Sequence, residues 1–95
     1  MRSYMALVDV VDAEVQNAQE LARIWGGLRN EIGERGGELR DAYAILGEHD
    51  YLLIFDAPDR DVALQISLVV ERHGLDMQTM ELIPVDRFGE LVEDI

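Results

Sequence analysis

The chain contains no cysteine and no lysine, and it has no long hydrophobic run. Without cysteine it has no disulfide framework, no thiol nucleophile and no Cys-based zinc site. No segment approaches the roughly 18 apolar residues that cross a membrane, and the first apolar segment meets Asp9 too soon for a signal peptide. We therefore expect a cytoplasmic protein with no membrane partner.

Positive charge is also scarce. Twenty Asp and Glu residues face eight basic residues, all arginine, so the 95-residue chain has a net charge of −12. Such a surface repels phosphates, and nucleic acid is not an expected partner. One interpretation is an ordinary solvated acidic surface. The second, favoured by the absence of lysine, is a halophilic protein whose self-repulsion is screened within about 3 Å at 1 M salt.

Hydrophobic periodicity predicts four strands and two long helices in a single domain. Alternating apolar residues predict strands at residues 3–10, 38–46, 51–56 and 76–83. The second helix is predicted from an Asp59 cap to about His73, with Gly74 past its end. The tail favours a short third helix at about 86–93.

The first helix has two predicted starts, a cap at Asp12 or an Asn17–Glu20 capping pair, and it ends at Gly36-Gly37. Gly26-Gly27 costs about 2 kcal/mol of helix propensity, which indicates a weak point or a close packing contact. Three- and four-residue spacing predicts a buried stripe, with Trp25 in the core. Its members are Val11, Val15, Ala18, Ala22, Trp25, Leu28 and Ile32.

The order βαββαβ predicts an α+β, ferredoxin-like fold, with a four-stranded antiparallel sheet and two helices on one face. The strands are apolar on both faces, so Met5, Leu7, Leu52 and Ile54, or the opposite set, are left without cover. Burying four large side chains is worth about 6–12 kcal/mol before the cost of association. We therefore predict a homodimer or higher homo-oligomer packed sheet to sheet.

The turn Gly47-Glu48-His49-Asp50 is the first candidate site. A functional interpretation pairs the His49 imidazole with the carboxylate of Asp50 or Glu48. A structural interpretation gives Gly47 a positive φ angle and has Asp50 accept hydrogen bonds from turn amides. Adjacent residues entering a strand point to opposite faces, which disfavours a direct His49–Asp50 pair. The structural interpretation is favoured.

Polar residues on otherwise apolar strands are the next candidates, because two facing sheets could enclose a cleft that they line. These residues are Asp9, Asp41, Tyr43, Thr79 and Glu81. The favoured alternative places Asp9 and Asp41 at strand ends in water and Glu81 on a sheet edge.

His73 suits the end of the second helix, where a cation complements the helix dipole. With two histidines, no cysteine and no metal-ligand spacing, neither a metal site nor a cofactor is expected.

Gly36-Gly37, Leu46 to Asp50, the apolar strand that follows and Ala57-Pro58-Asp59 together resemble the GYD domain family. These are small prokaryotic proteins named for a Gly-Tyr-Asp signature. Here His49 stands where the signature has tyrosine, and Glu48 separates it from the glycine. The resemblance implies a dimeric α/β-barrel protein from a family of unsettled biochemical role. A Tyr-to-His exchange changes the side-chain pKa by several units, which counts against catalysis here.

These observations favour a non-enzymatic homo-oligomer with room for a small organic ligand between its sheets. The ligand-binding residues we predict are Gly47, His49, Asp50, Tyr43 and Glu81, and no catalytic residue is predicted. One alternative is a cofactor-independent enzyme of the dimeric α/β-barrel type, monooxygenase- or isomerase-like, by analogy of fold alone. Another is a ligand-sensing regulatory module.

Overall fold

A computed structural model describes residues 1–11, 18–93 and 95 of the chain. The α+β class and the four-stranded antiparallel sheet are confirmed, with a third helix following the βαββαβ order. The described elements are β1 (Arg2–Val10), α1 (Ala18–Glu34), β2 (Glu38–Ala44), β3 (Tyr51–Ala57), α2 (Arg60–Glu71), β4 (Leu75–Leu82) and α3 (Val85–Glu93). Asp12 and Asn17, the two predicted caps of the first helix, lie outside the described residues.

The sheet has the strand order β2-β3-β1-β4, and every neighbouring pair is antiparallel. In the centre, Ala6 of β1 lies opposite Leu53 of β3 on one side and Thr79 of β4 on the other. The alternation predicted for β1 is confirmed, because Tyr4, Ala6 and Val8 are buried while the residues between them are half-buried.

Both long helices pack on the sheet face that carries Tyr4 and Val8. From α1, the side chains of Ile24, Leu28 and Ile32 enter the core at four-residue spacing. The buried side chains of α2 are Ala63, Ile66, Ser67, Val69 and Val70.

The predicted stripe of the first helix is partly wrong. Ala22 is exposed, whereas Ile24, which the prediction omitted, is buried. The buried stripe follows Ile24 and its i+4 and i+8 neighbours, so Ala22 falls outside it. Trp25 is half-buried at the edge of the core, where its ring meets that of Tyr51 edge-on at a centroid distance of 4.9 Å.

A β-bulge between Leu39 and Asp41 interrupts the regular alternation of β2. Leu39 pairs with Phe55 on the helix side of the sheet, while Asp41 pairs with Ile54 on the other side. The extra residue, Arg40, shifts the two-residue alternation by one position. Leu39 and Asp41, which a regular two-residue alternation would place on one face, therefore lie on opposite faces.

The ends of the long helices confirm their predicted signals. The Asp59 carboxylate accepts a hydrogen bond from the Val62 amide at 2.9 Å and caps α2. Gly36 and Gly74 have φ angles of 86° and 80°, a backbone conformation that residues with a side chain rarely adopt.

The glycines of the first helix region fall into two groups. Gly26 and Gly27 are exposed, and a Cβ added at either would meet no described atom within 4 Å, so the interpretation as a close contact is wrong. A Cβ on Gly37 would instead lie 2.7 Å from Ile66 Cδ1 and 3.0 Å from the Asp56 carbonyl oxygen. Gly37 therefore allows the chain entering β2 to pass close to α2 and β3.

The same substitution should have opposite effects at Gly37 and Gly27. We expect Gly37→Ala to lower the free energy of unfolding by about 1–3 kcal/mol, because the methyl group overpacks the core. Gly27→Ala should raise it by about 0.5–1 kcal/mol through helix propensity. Urea denaturation followed by circular dichroism measures both. A Gly37→Ala protein as stable as the wild type would contradict the close approach.

Candidate functional site

The sheet face turned away from α1 and α2, called the open face here, is apolar in its middle. Of the two predicted sets, Met5, Leu7, Leu52 and Ile54 form the uncovered one, and each of these side chains is half-buried. Three exposed side chains extend this surface toward the two edge strands: Tyr43, Met80 and Leu82.

At the end of β1, a cluster of Asp9, His49 and Asp50 borders the open face. Nδ1 of His49 lies 3.0 Å from Oδ2 of Asp9, and because a carboxylate only accepts, Nδ1 carries the proton. The Asp50 amide donates to Oδ1 of Asp9 at 3.2 Å, and the Val10 amide donates to Oδ2 of Asp50 at 2.8 Å. These bonds fix the hairpin turn against the end of the central strand.

The opposite end of the open face is also polar. The hydroxyl of Ser3 donates to Oδ1 of Asp56 at 2.8 Å, and Arg40 Nη1 lies 3.5 Å from the same oxygen. The side chain of Asp56 is 17% exposed, so the arginine compensates a largely buried carboxylate. The apolar middle therefore lies between two hydrogen-bonded ends.

The hydrogen bond to Asp9 raises the pKa of His49 above its ordinary value of 6.5. The negative charges of Asp9, Glu48 and Asp50 act in the same direction, whereas burial of the ring opposes them. The imidazole is 26% exposed, and with Nδ1 committed to Asp9, Nε2 is the nitrogen left for an outside partner.

Two predictions about the hairpin turn are wrong. Gly47 is not among the positive-φ glycines of the described chain, and the turn is closed by a hydrogen bond of 2.8 Å from the Ile45 amide to the Asp50 carbonyl oxygen. Asp50 accepts from the Val10 amide of the neighbouring strand, and not from turn amides. The partner of His49 is Asp9, forty residues away in the sequence, which the hairpin alone could not reveal.

The five predicted ligand-binding residues do not meet at one place. Tyr43 lies on the open face of edge strand β2, and His49 and Asp50 lie beside the end of β1. Gly47 is exposed in the turn. Glu81 is on the other edge strand, β4, and its Oε1 lies 3.9 Å from Nη1 of Arg2.

Two of the three remaining polar candidates have side-chain partners. Thr79 Oγ1 lies 2.8 Å from the hydroxyl of Ser67, a bond between β4 and α2 that faces the core. Asp41 is half-buried on the open face beside Ile54. His73 Nε2 lies 3.3 Å from Glu31 Oε2, and this contact joins the ends of the two long helices.

Among the described residues, His, Asp and Glu side chains form no group of three placed to hold a metal ion. In that same part of the chain, the helices are too short or too polar to span a bilayer.

The Asp9–His49 bond should make stability depend on pH. Because folding raises the pKa of His49, the bond contributes fully below the unfolded pKa and is lost as pH rises through the folded pKa. We expect the melting temperature of the wild type to exceed that of His49→Gln most at about pH 6, and the difference to shrink by about pH 8.5.

A proton NMR titration of the His49 ring tests the same bond directly. In Asp9→Asn, the pKa of His49 should fall back toward its ordinary value, because the charged acceptor is gone. An unchanged His49 pKa in Asp9→Asn would contradict the assigned partner.

Comparison with solved structures shows the same fold at low sequence identity. The leucine response regulatory protein of Mycobacterium tuberculosis matches with a TM-score of 0.65 and 11% identity, over 87% of this chain and 51% of that one. The feast or famine regulatory protein of the same organism, in complex with L-methionine, matches with a TM-score of 0.64 and 14% identity, over 88% and 51%. FFRP-DM1 matches with a TM-score of 0.57 and 16% identity, over 87% of this chain and all of that one.

The chain spans about half the length of the first two structures. Comparison with curated proteins gives no match. The family comparison is decisive, because the GYD domain matches residues 4–92 and so covers nearly the whole chain, including the turn with His49. The protein therefore belongs to the GYD domain family.

Proposed function

We propose that the protein is a non-enzymatic homo-oligomer whose copies pack through the open face and hold a small organic ligand between their sheets. In this proposal the fold is ferredoxin-like and the assembly is of the dimeric α/β-barrel type. The observation that carries it is the apolar middle of the two central strands, where Met5, Leu7, Leu52 and Ile54 lie outside the helix-covered core. A contiguous apolar patch of this kind is typical of an interaction surface.

The free energy gained by burying apolar side chains determines how much of the open face the contact between two copies must cover. Full burial is worth about 1.5–3 kcal/mol per large side chain, and two copies together contribute eight half-buried ones, so completing their burial gives roughly 6–12 kcal/mol. Association costs about 4–15 kcal/mol, so this gain is of the same size as the cost that it must offset. Covering the exposed side chains of Tyr43 and Met80 as well shifts the balance toward association.

The polar border of the open face supports a ligand-binding role. Tyr43 offers a hydroxyl at one edge, and His49 offers Nε2 at the end of β1, with its ring held by Asp9. A small organic molecule lying on the apolar middle could be oriented by these two groups, as in most small-molecule sites. Asp50 would act by holding the turn in place.

A ligand-sensing regulatory module is the specific form of this function that the structural neighbours favour. Two of them are regulatory proteins, and one was solved with L-methionine bound. Because these proteins are about twice as long, a regulatory role for this chain would depend on a further domain or partner.

The net charge of −12 opposes self-association, since two copies repel each other. We propose that the protein works in a salt-rich cytoplasm, where this repulsion is screened over a few ångströms. The strength of self-association should therefore rise with KCl.

Sedimentation of the wild type and of two matched variants tests the assembly. Leu52→Glu places a charge in the middle of the open face, and we expect it to weaken association by about 3 kcal/mol, roughly a hundredfold in Kd. Leu64→Glu makes the same change on α2, where the leucine is 61% exposed, and should leave association unchanged. Circular dichroism melts establish that both variants fold.

A wild type that sediments as single chains at micromolar concentration, in both low and high KCl, would overturn the proposal. Equal loss of association in Leu52→Glu and Leu64→Glu would overturn the choice of the open face.

A further inference from the structure

A cavity of about 440 Å³ lies where the starting end of β1, the last residues of β4 and helix α3 come together. Its apolar wall includes Leu82, Ile83 and Leu91, and its charged groups are Arg2, Arg87 and Glu81. Apart from Ser3, the residues that line it are exposed, so the cavity is an open groove that a ligand could enter from solvent. All of these residues belong to one chain, so the cavity exists without a second copy.

The charge of the cavity is opposite to that of the protein. Two arginines face one glutamate, which leaves a net positive charge in a chain of net charge −12. Arg2 is held loosely, with Nη1 3.9 Å from Oε1 of Glu81 and about half of its side chain exposed. Among the described residues, Arg87 forms no ion pair. An acidic protein that places an uncommitted guanidinium beside an apolar wall is arranged to receive an anion with an apolar part.

We propose that this cavity binds a small organic monocarboxylate, with the carboxylate on Arg87 and Arg2 and the apolar tail against Leu82, Ile83 and Leu91. The guanidinium fork matches a carboxylate in two parallel hydrogen bonds. Glu81 disfavours the binding of phosphates and dicarboxylates. Its negative charge cancels that of one arginine, and it repels the second negative charge of such a ligand. The site is distinct from the proposed ligand on the apolar middle of the open face.

Binding of phenylacetate, measured by calorimetry on the full chain, tests the proposal, with phenylacetamide as its neutral isostere. We expect phenylacetate to bind at least tenfold more tightly than the amide, since a charge-assisted hydrogen bond is lost with the charge. Inorganic phosphate should not compete. Equal binding of acid and amide, or competition by phosphate, would overturn the assignment.

Three substitutions locate the site. Arg87→Gln should weaken phenylacetate binding about tenfold or more, whereas Glu81→Gln should strengthen it by removing the repelling charge. Arg60→Gln removes an arginine that does not line the cavity, and binding should be unchanged. Melting temperatures establish that each variant is folded, and equal losses in Arg87→Gln and Arg60→Gln would overturn the location.

The Leu52→Glu variant separates this inference from the proposed assembly. Because one chain supplies the whole cavity, Leu52→Glu should bind phenylacetate as the wild type does even when it sediments as single chains. Loss of binding on dissociation would overturn the single-chain site. A wild type that is already a single chain but binds phenylacetate would leave this inference standing and remove the proposed assembly.

Discussion

The central pair of strands sets the constraint on which the rest of the molecule depends. β1 and β3 carry apolar side chains on both faces, yet the two long helices cover only one. A backbone that returns through a hairpin and two crossovers can place both helices on one side, and nothing in the described chain covers the other. The proposed assembly and the ligand between its sheets both arise from this imbalance between the two faces.

The parts of the fold that follow from local chemistry could be predicted from the sequence. The Asp59 cap, the glycines that end the helices and the alternation in β1 each depend on residues a few positions apart. The features that could not be predicted depend on long-range pairing. The bulge at Arg40 exists only because β2 must match β3, and the burial of Ile24 in place of Ala22 depends on how α1 is rotated on the sheet.

The same division applies to the candidate site. The sequence marks His49 as a candidate site residue and offers the neighbouring carboxylates of Glu48 and Asp50 as its partners. The carboxylate that binds it is Asp9, which the antiparallel pairing of β1 and β3 brings beside the turn. Asp9 is at the end of β1 and His49 lies just before β3. Once these two strands are assigned as antiparallel neighbours, the topology predicts that the two side chains lie close together. The cavity beside α3 had no comparable signal, because Arg2 and Arg87 lie at opposite ends of the sequence and line one cavity only in the folded chain.

The two ends of the open face also restrict how two copies could meet. The end that carries Asp9, Asp50 and Asp76 is acidic, with His49 as its one basic group among the described residues. At the other end of the open face, Arg40 lies beside Asp56, so the charges largely cancel. If the two-fold axis lies between the two sheets and runs parallel to the strands, the acidic ends of the two copies face each other. If the axis lies between the sheets and runs perpendicular to the strands, each acidic end faces a neutral end. Since close like charges cost several kcal/mol in an interface, electrostatics favours facing β1 strands that run in opposite directions.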